Sequence, residues 1–281
     1  MLFTPWKIRH FHTPTVYMMH FFGVSRADFS ALLFIFLTQL PIRNLGKGMN
    51  EKELSAQKNT TAVIIPVYNG RRYLPQLVER LLAVMPAESL FVVDDASTDE
   101  SAAWCISQQV QVHSFATNKG KGAALQAGFA MARNAGYQFA VSIDCDLQHR
   151  PEDIPRLLQR QCETGADIII GARQFDPAIM PWPRIFSNST TSRIVSVSCR
   201  RRITDSQSGF RLYRLAPLAG MQFISQRYQF ETEVLIKLCR AGCSVDFIPI
   251  DTIYNDEESH ISHLRDIWNF IKIVIYHIGR E

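Results

Sequence analysis

TAVIIPVYNGRRYLPQLVERLLAVMPAESLFVVDDASTD, residues 61–99, holds in one stretch the unit from which the fold follows. A short apolar run rich in β-branched residues, Ala62–Ile65, leads into Pro66-Val67-Tyr68-Asn69-Gly70. An amphipathic stretch near Leu74–Met85 follows, and a second apolar run, Phe91–Val93, ends in Asp94-Asp95. Strand, helix and strand joined by short connections form the building block of a parallel sheet covered by helices. The pattern continues outward. Strands are expected at Val110–Phe115, Phe139–Ile143 and Asp167–Ile170, and helices near Asp99–Ser107, Ala123–Ala135 and Ile154–Glu163. The expected fold class is α/β, with a mostly parallel central sheet and helices on both faces.

At 281 residues and 47% hydrophobic, the chain is long enough for one α/β domain with a full core, which excludes disorder as its dominant state. The net charge of +4 is concentrated: residues 1–50 carry Lys7, Arg9, Arg26, Arg43 and Lys47 against Asp28 alone. The rest of the chain balances, so it lacks the basic stripe of a nucleic-acid-binding domain. Six cysteines are scattered without CxxC pairs or zinc-ligand spacing and read as reduced core thiols, suited to the cytoplasm. No apolar stretch reaches eighteen residues. Three regions are expected: 1–60 as an extension and linker, with a short apolar run at Phe29–Leu40 and a possible true start at Met49; 61–255 as the domain; and 256–281 as an amphipathic terminal helix. That helix places Leu264, Ile267, Trp268, Ile271, Val274, Ile275 and Ile278 at helical spacing, to pack on the protein's own sheet or on a membrane surface.

Ligands of open α/β sheets bind beyond the carboxyl ends of the strands. Polar residues collect at these ends as PVYNG (66–70), DDASTD (94–99) and DCDLQH (144–149). Taken singly, Asn69-Gly70 reads as a turn, and Ser97 or Thr98 as a helix N-cap. Asp144 and Asp146, two apart at a strand end, point to one side and can share a divalent cation, for which oxygen ligands select Mg or Mn. The alternative is two solvated acids in a turn.

IIPVYN (64–69), VVDDASTD (92–99), NKGKGAALQAGF (118–129), DCDLQH (144–149), GAR (171–173) and DSQSGFRLYR (205–214) occur in order within one domain. Together they resemble the family-two glycosyltransferases of the A-type nucleotide-sugar fold, more narrowly the dolichyl-phosphate mannosyltransferase-like branch, over about Thr61 to Asn255. The resemblance implies a Rossmann-like nucleotide-binding half, a nucleotide-sugar donor, and Mg or Mn. It implies that Pro66, Tyr68, Asn69 and Asp95 frame the nucleoside, with Lys119 and Gly122 close by. Asp144 and Asp146 would flank the metal, Gln148 would complete its shell, and Arg173, Arg184 and Arg211 would face phosphate groups. For Arg173 and Arg211 a surface salt bridge is the alternative. Asp146 and Arg211 are thus expected in the catalytic set, joined by Asp205 and Glu231 as candidates for a general base in a region that also holds Glu233.

The chain departs from the family pattern at Cys145, where a small residue is more usual, in lacking an obvious acceptor-side acid pair, and in ending soon after Ile278 without transmembrane helices. A polyprenyl phosphate acceptor is already an ionised nucleophile and needs no protein base, which fits the missing pair. A hydroxyl of a glycan or glycolipid would need a carboxylate. The expectation is transfer with inversion to a membrane-associated lipid phosphate or glycan acceptor, in cell envelope glycan biosynthesis, by a cytoplasmic protein peripheral at the inner face of the membrane. Two rivals are a sugar-phosphate nucleotidyltransferase, which would show a Gly-rich basic loop where PVYNG stands, and a non-catalytic nucleotide-sugar-binding subunit.

Overall fold

The computed structural model describes residues 50–174, 182–251 and 253, without the side chains of 182–187. Residues 1–49 of the expected N-terminal extension and linker (1–60), the C-terminal helix (256–281) and most of its approach lie outside the described residues.

The segment expected to be a polar linker before the first strand is a helix, α1 (Glu51–Asn59). Asn50 accepts from the Glu53 N–H, and Glu53 returns a carboxylate to the Asn50 N–H, a reciprocal cap that starts a helix with no buried face. The strands are β1 (Thr61–Val67), β2 (Leu90–Asp94), β3 (Gln111–Ser114), β4 (Phe139–Ser142), β5 (Ile168–Arg173), β6 (Arg211–Arg214) and β7 (Val245–Ile250). Between them lie α2 (Leu74–Leu82), α3 (Ser101–Ser107), α4 (Lys121–Asn134), α5 (Ile154–Thr164), α6 (Trp182–Cys199) and α7 (Phe230–Arg240).

One sheet has the order β3-β2-β1-β4-β6-β5-β7. All pairings are parallel except those of β6, which runs against both β4 and β5. β1 is buried along its whole length, and its alternate residues feed two cores. Val63, Ile65 and Val67 meet Leu74, Leu77 and Leu81 of α2 and Leu157 and Leu158 of α5 on one face. Ala62 and Ile64 meet Leu125 and Phe129 of α4 and Val234 and Leu235 of α7 on the other. The expected layering of helices on both faces is what the structure has. α4 comes so close to β1 that a Cβ at Gly128 would lie 2.2 Å from Ile64 Cγ2, so only glycine fits there.

β6, β7, α6 and α7 were not among the expected elements. β6 is four residues long with a charge at each end, and α7 carries two acids among its apolar residues; neither shows a clean period in the sequence. The helix expected from Asp99 begins at Ser101, and Ser97 and Thr98 do not cap it. Ser97 Oγ accepts the Asn69 N–H at 2.9 Å and the Thr98 N–H donates to Asn69 Oδ1 at 2.8 Å, so both residues tie two strand-end loops together.

The chain moves from β1 outward to β3, then returns to place β4 on the other side of β1. The crevice of such a sheet opens at this reversal, beyond the carboxyl ends of β1 and β4. The loops 68–70 and 144–149 stand there, touching closely enough that a Cβ on Gly70 would meet Cys145 Sγ at 2.8 Å.

Candidate active site

Three strand-end loops build the near side of the crevice. After β1, Tyr68 is 54% exposed, while Pro66 is buried in the strand opposite Val93. Asn69 is left-handed (φ 53°) and its side chain holds the β2 loop at Thr98. Arg71 N–H donates to Asp99 at 2.8 Å, whose carboxylate also takes the Ser101 hydroxyl at 2.5 Å. After β2, Asp95 is 3% exposed and its two oxygens accept the backbone N–H groups of Lys119 (2.6 Å) and Gly120 (2.8 Å). Asp95 thus shapes the 118–122 loop. In that loop Lys119 is exposed with its ammonium over the Phe115 ring, and Gly122 packs so tightly that a Cβ would lie 2.6 Å from that of Phe230.

After β4 comes the acidic loop. Asp144, Asp146 and Gln148 are all partly buried, and Leu147 between them is left-handed (φ 61°). Asp146 Oδ1 accepts the Gln148 N–H at 3.0 Å, which closes the loop on itself. Asp144 faces a lysine that the sequence reading did not single out. Lys121 Nζ lies 2.7 Å from Asp144 Oδ1, 2.9 Å from Oδ2, and 2.9 Å from Glu231 Oε1 at the start of α7. Burial, the largest influence on Lys121, lowers its pKa, yet Asp144 and Glu231 together more than reverse this and hold the ammonium above its ordinary range. For Asp144, burial raises the pKa, and Lys121 outweighs it to leave the carboxylate below its usual range. Gly209 forms the floor: a Cβ there would lie 2.7 Å from Asp144 Oδ2 and 2.9 Å from both Glu231 Oε1 and Lys121 Nζ.

The far side is built differently. Asp205 is fully buried and takes the Arg173 guanidinium at 2.7 and 2.9 Å, together with the backbone N–H groups of Arg173, Gln207 and Ser208. Burial raises its pKa, but the Arg173 hydrogen bond and charge and these N–H groups prevail and set it low, which makes it a poor proton acceptor. The arrangement does not favour Asp205 as the expected general base. Arg211 is fully buried, and its Nε, Nη1 and Nη2 donate to the carbonyls of Ser208 (2.7 Å), Glu231 (2.8 Å) and Ser206 (2.8 Å), so it braces backbone and is not the surface salt bridge that was the alternative expectation. Glu233 is equally engaged, accepting from Ile224 and Ser225 N–H and pairing with Lys237. Arg184 lies in α6, with its side chain outside those described. His149, 5% exposed, stacks on Phe210 (centroids 5.5 Å apart), and burial pushes its pKa down to about 4, so it is neutral.

The structure therefore brings Asp144, Asp146 and Gln148 into one loop, joins Asp144 to Glu231 through Lys121, and pairs Arg173 with Asp205. Among the described residues no three His, Cys, Asp or Glu side chains form a metal cluster by themselves. Asp144 nevertheless accepts a cation in place: the Lys121 ammonium stands in for one on both carboxylate oxygens. The oxygen donors fit a hard divalent ion that takes its remaining ligands from elsewhere. Lys121 and Gly209 escaped the sequence reading because their partners are distant in the chain. The only available signal was a lysine between two glycines opposite a paired-acid motif.

The core built on β1, with its crevice at the β1–β4 reversal and acids at the β4 end, forms an open α/β sheet with a ligand crevice at its switch point. The chain belongs to Glycosyl transferase family 2, whose family model matches residues 62–218. It is 32% identical over 198 residues to an undecaprenyl-phosphate mannosyltransferase of Micrococcus luteus, covering 66% of this chain and 81% of the relative. It is 32% identical over 202 residues to a polyprenol monophosphomannose synthase of Mycolicibacterium smegmatis, covering 68% and 76%. Its fold is shared with glucosyl-3-phosphoglycerate synthase from Mycobacterium tuberculosis, crystallised with Mn2+, UDP and glucosyl-3-phosphoglycerate. That comparison has a TM-score of 0.63 at 18% identity, over 84% of this chain and 87% of that one. This protein is a glycosyltransferase, similar to the dolichyl-phosphate mannosyltransferase-like branch, as the sequence motifs implied.

Proposed function

We propose that this enzyme transfers a sugar from a nucleotide-diphosphate sugar to a polyprenyl phosphate, with inversion, at the inner face of a membrane. The observation that carries this reading is the state of the acids on the acceptor side. Asp205, Glu231 and Glu233 are each held by a cation, and Asp205 and Glu233 take backbone N–H groups as well. A hydroxyl acceptor would need one of them to take its proton. A lipid phosphate is already ionised. Its oxygen forms the new bond to the anomeric carbon as the bond to the diphosphate oxygen breaks on the opposite face, and no proton moves. The names and coverage of the two relatives above point the same way.

In this reading Pro66, Tyr68, Asn69 and Asp95 shape the nucleoside side, Asn69 and Asp95 by fixing the loops 97–98 and 119–120. Asp144, Asp146 and Gln148 hold a divalent ion, Mg or Mn. When bound, such an ion neutralises charge on the diphosphate leaving group. Arg173, oriented by Asp205 at the end of β5, is the arginine placed to face a phosphate group. The domain spans about 61–255. No helix of the described residues is long and apolar enough to cross a membrane.

The test is release of nucleoside diphosphate from UDP-, GDP- and TDP-sugars with Mn2+ or Mg2+, with and without polyprenyl phosphate. Release that needs metal and lipid together, and drops by roughly a thousandfold in Asp146→Asn, is expected. Release that ignores the lipid would overturn the acceptor and point to a hydroxyl.

A further inference from the structure

We propose that Lys121 is a built-in counter-cation: its ammonium caps Asp144 before the divalent ion arrives and withdraws toward Glu231 when the ion binds. The inference rests on the metal reading above and assigns a role to a residue outside it. Three observations carry it. First, Lys121 Nζ is within 2.7 and 2.9 Å of both oxygens of Asp144, so neither oxygen is left unshared. A divalent ion on the same carboxylate would stand beside the ammonium, and two cations cannot share those oxygens without strong repulsion. Second, a separate acid is ready to keep the ammonium, because Glu231 Oε1 is already 2.9 Å away on another element, the first turn of α7. The lysine can leave Asp144 while retaining a partner, which avoids an unpaired buried charge. Third, the space is limited. Gly209 backs the triad, and even a methyl group there would come within 2.9 Å of all three charged groups. Glycine at 209 is thus what lets the three charged groups meet, and the contact already made with Glu231 is the direction in which the ammonium can move.

The arrangement keeps Asp144 in its ionised, oriented form without a metal. It also makes metal binding a swap of one cation for another, with a displacement felt at the start of α7. Lys121 is a positioning residue in this scheme and touches neither sugar nor phosphate.

Removing Lys121 alone would raise metal affinity through charge whatever its position, so the decisive variant is Lys121→Met/Glu231→Gln, which deletes one positive and one negative charge. Binding of Mn2+ alone, without nucleotide, is measured by electron paramagnetic resonance of the unbound ion. If Lys121 occupies Asp144, the dissociation constant falls about tenfold or more relative to the wild type, in the range of measured couplings between close charge pairs. An unchanged or weaker constant in a folded double variant would overturn the proposal. If Mn2+ binds neither protein, even with added nucleoside diphosphate, the metal reading itself fails along with the swap. Should the double variant not fold, the wild type labelled with 15N at lysine Nζ provides the second measurement. The signal of the ion-paired Lys121 ammonium, identified by its absence in Lys121→Arg, should shift on saturation with Mg2+, and no shift would overturn the proposal.

Discussion

The loops that follow β1, β2 and β4 and the segment 205–211 before β6 border the same crevice but are built on different principles. Each of the three strand-end loops holds a non-glycine residue in the left-handed region: Asn69 (φ 53°), Ala96 (φ 63°) and Leu147 (φ 61°). The 205–211 segment holds none among its residues, and its charged side chains are saturated by backbone: Asp205 accepts three N–H groups and Arg211 donates to three carbonyls. Both sides commit carboxylates to backbone N–H groups, but the strand-end loops also turn through left-handed residues and leave Tyr68, Asp144, Asp146 and Gln148 partly exposed, whereas Asp205 and Arg211 are wholly buried in a braced wall. Residue type alone does not separate the two uses, since aspartate and arginine motifs mark both.

The largest effect should come from breaking the wall. Arg211→Met leaves the carbonyls of Ser206, Ser208 and Glu231 buried without their donor, at about 1–3 kcal/mol for each unsatisfied group. A loss of about 3–9 kcal/mol follows on that scale, a large part of the stability of a typical domain. Urea unfolding checks it. A well-folded Arg211→Met with lost turnover would mean that the guanidinium serves substrate, and the contrast between the two sides would fail.

The next effect is a pH dependence located where the two sides meet. His149 of the β4 loop stacks on Phe210 of the wall. Burial first of all holds its pKa at about 4, below its ordinary value near 6.5. Below pH 6.5 the unfolded chain takes a proton that the folded chain refuses, so stability falls as pH drops toward 4 and the difference stops growing below that. Between pH 7.5 and pH 5 the loss from this residue is about 2 kcal/mol. In metal-free buffer, the unfolding free energies from urea titrations at the two pH values should converge in His149→Asn by about that amount. Equal differences in both proteins would show that the ring is already open to solvent.

This contrast also explains what could be read in the sequence. β1, β2, β4 and the helices α2 and α5 carry strong periods: α2 buries Leu74, Leu77, Val78 and Leu81, one helical face, and β1 buries every residue. Their strand ends announced the crevice. β6 has only Leu212 and Tyr213 between two arginines, and it joins the sheet because β4 and β5 both need a neighbour. That requirement exists only in three dimensions. The same holds for the site: the Asp144–Asp146 pair is local and was legible, and Glu231 was named as a candidate, whereas Lys121 and Gly209, which lie 23 and 65 positions from Asp144, and the bridge Lys121 makes to Glu231 were not. The motif that contains Asp205 and Arg211 says nothing about which way their side chains turn, so their backbone partners were not legible.

The smallest effect tests the strained side. At Ala96 the left-handed backbone costs roughly 1–2 kcal/mol relative to an ordinary conformation. Glycine removes that cost but returns about 0.5–1 kcal/mol through the greater freedom of the unfolded chain. Ala96→Gly should therefore be more stable by about 0.5–1 kcal/mol, visible as a small rise in the urea midpoint. Ala96 stands between Asp95, which holds the 119–120 backbone, and Ser97, which holds Asn69. If the strain serves to aim these two, the gain in stability should come with a higher KM for the donor and little change in kcat, because the loosened loop must be ordered again on binding. A more stable variant with unchanged KM would mean that the neighbouring hydrogen bonds alone set the loop, and that the left-handed residue is a tolerated cost of the turn.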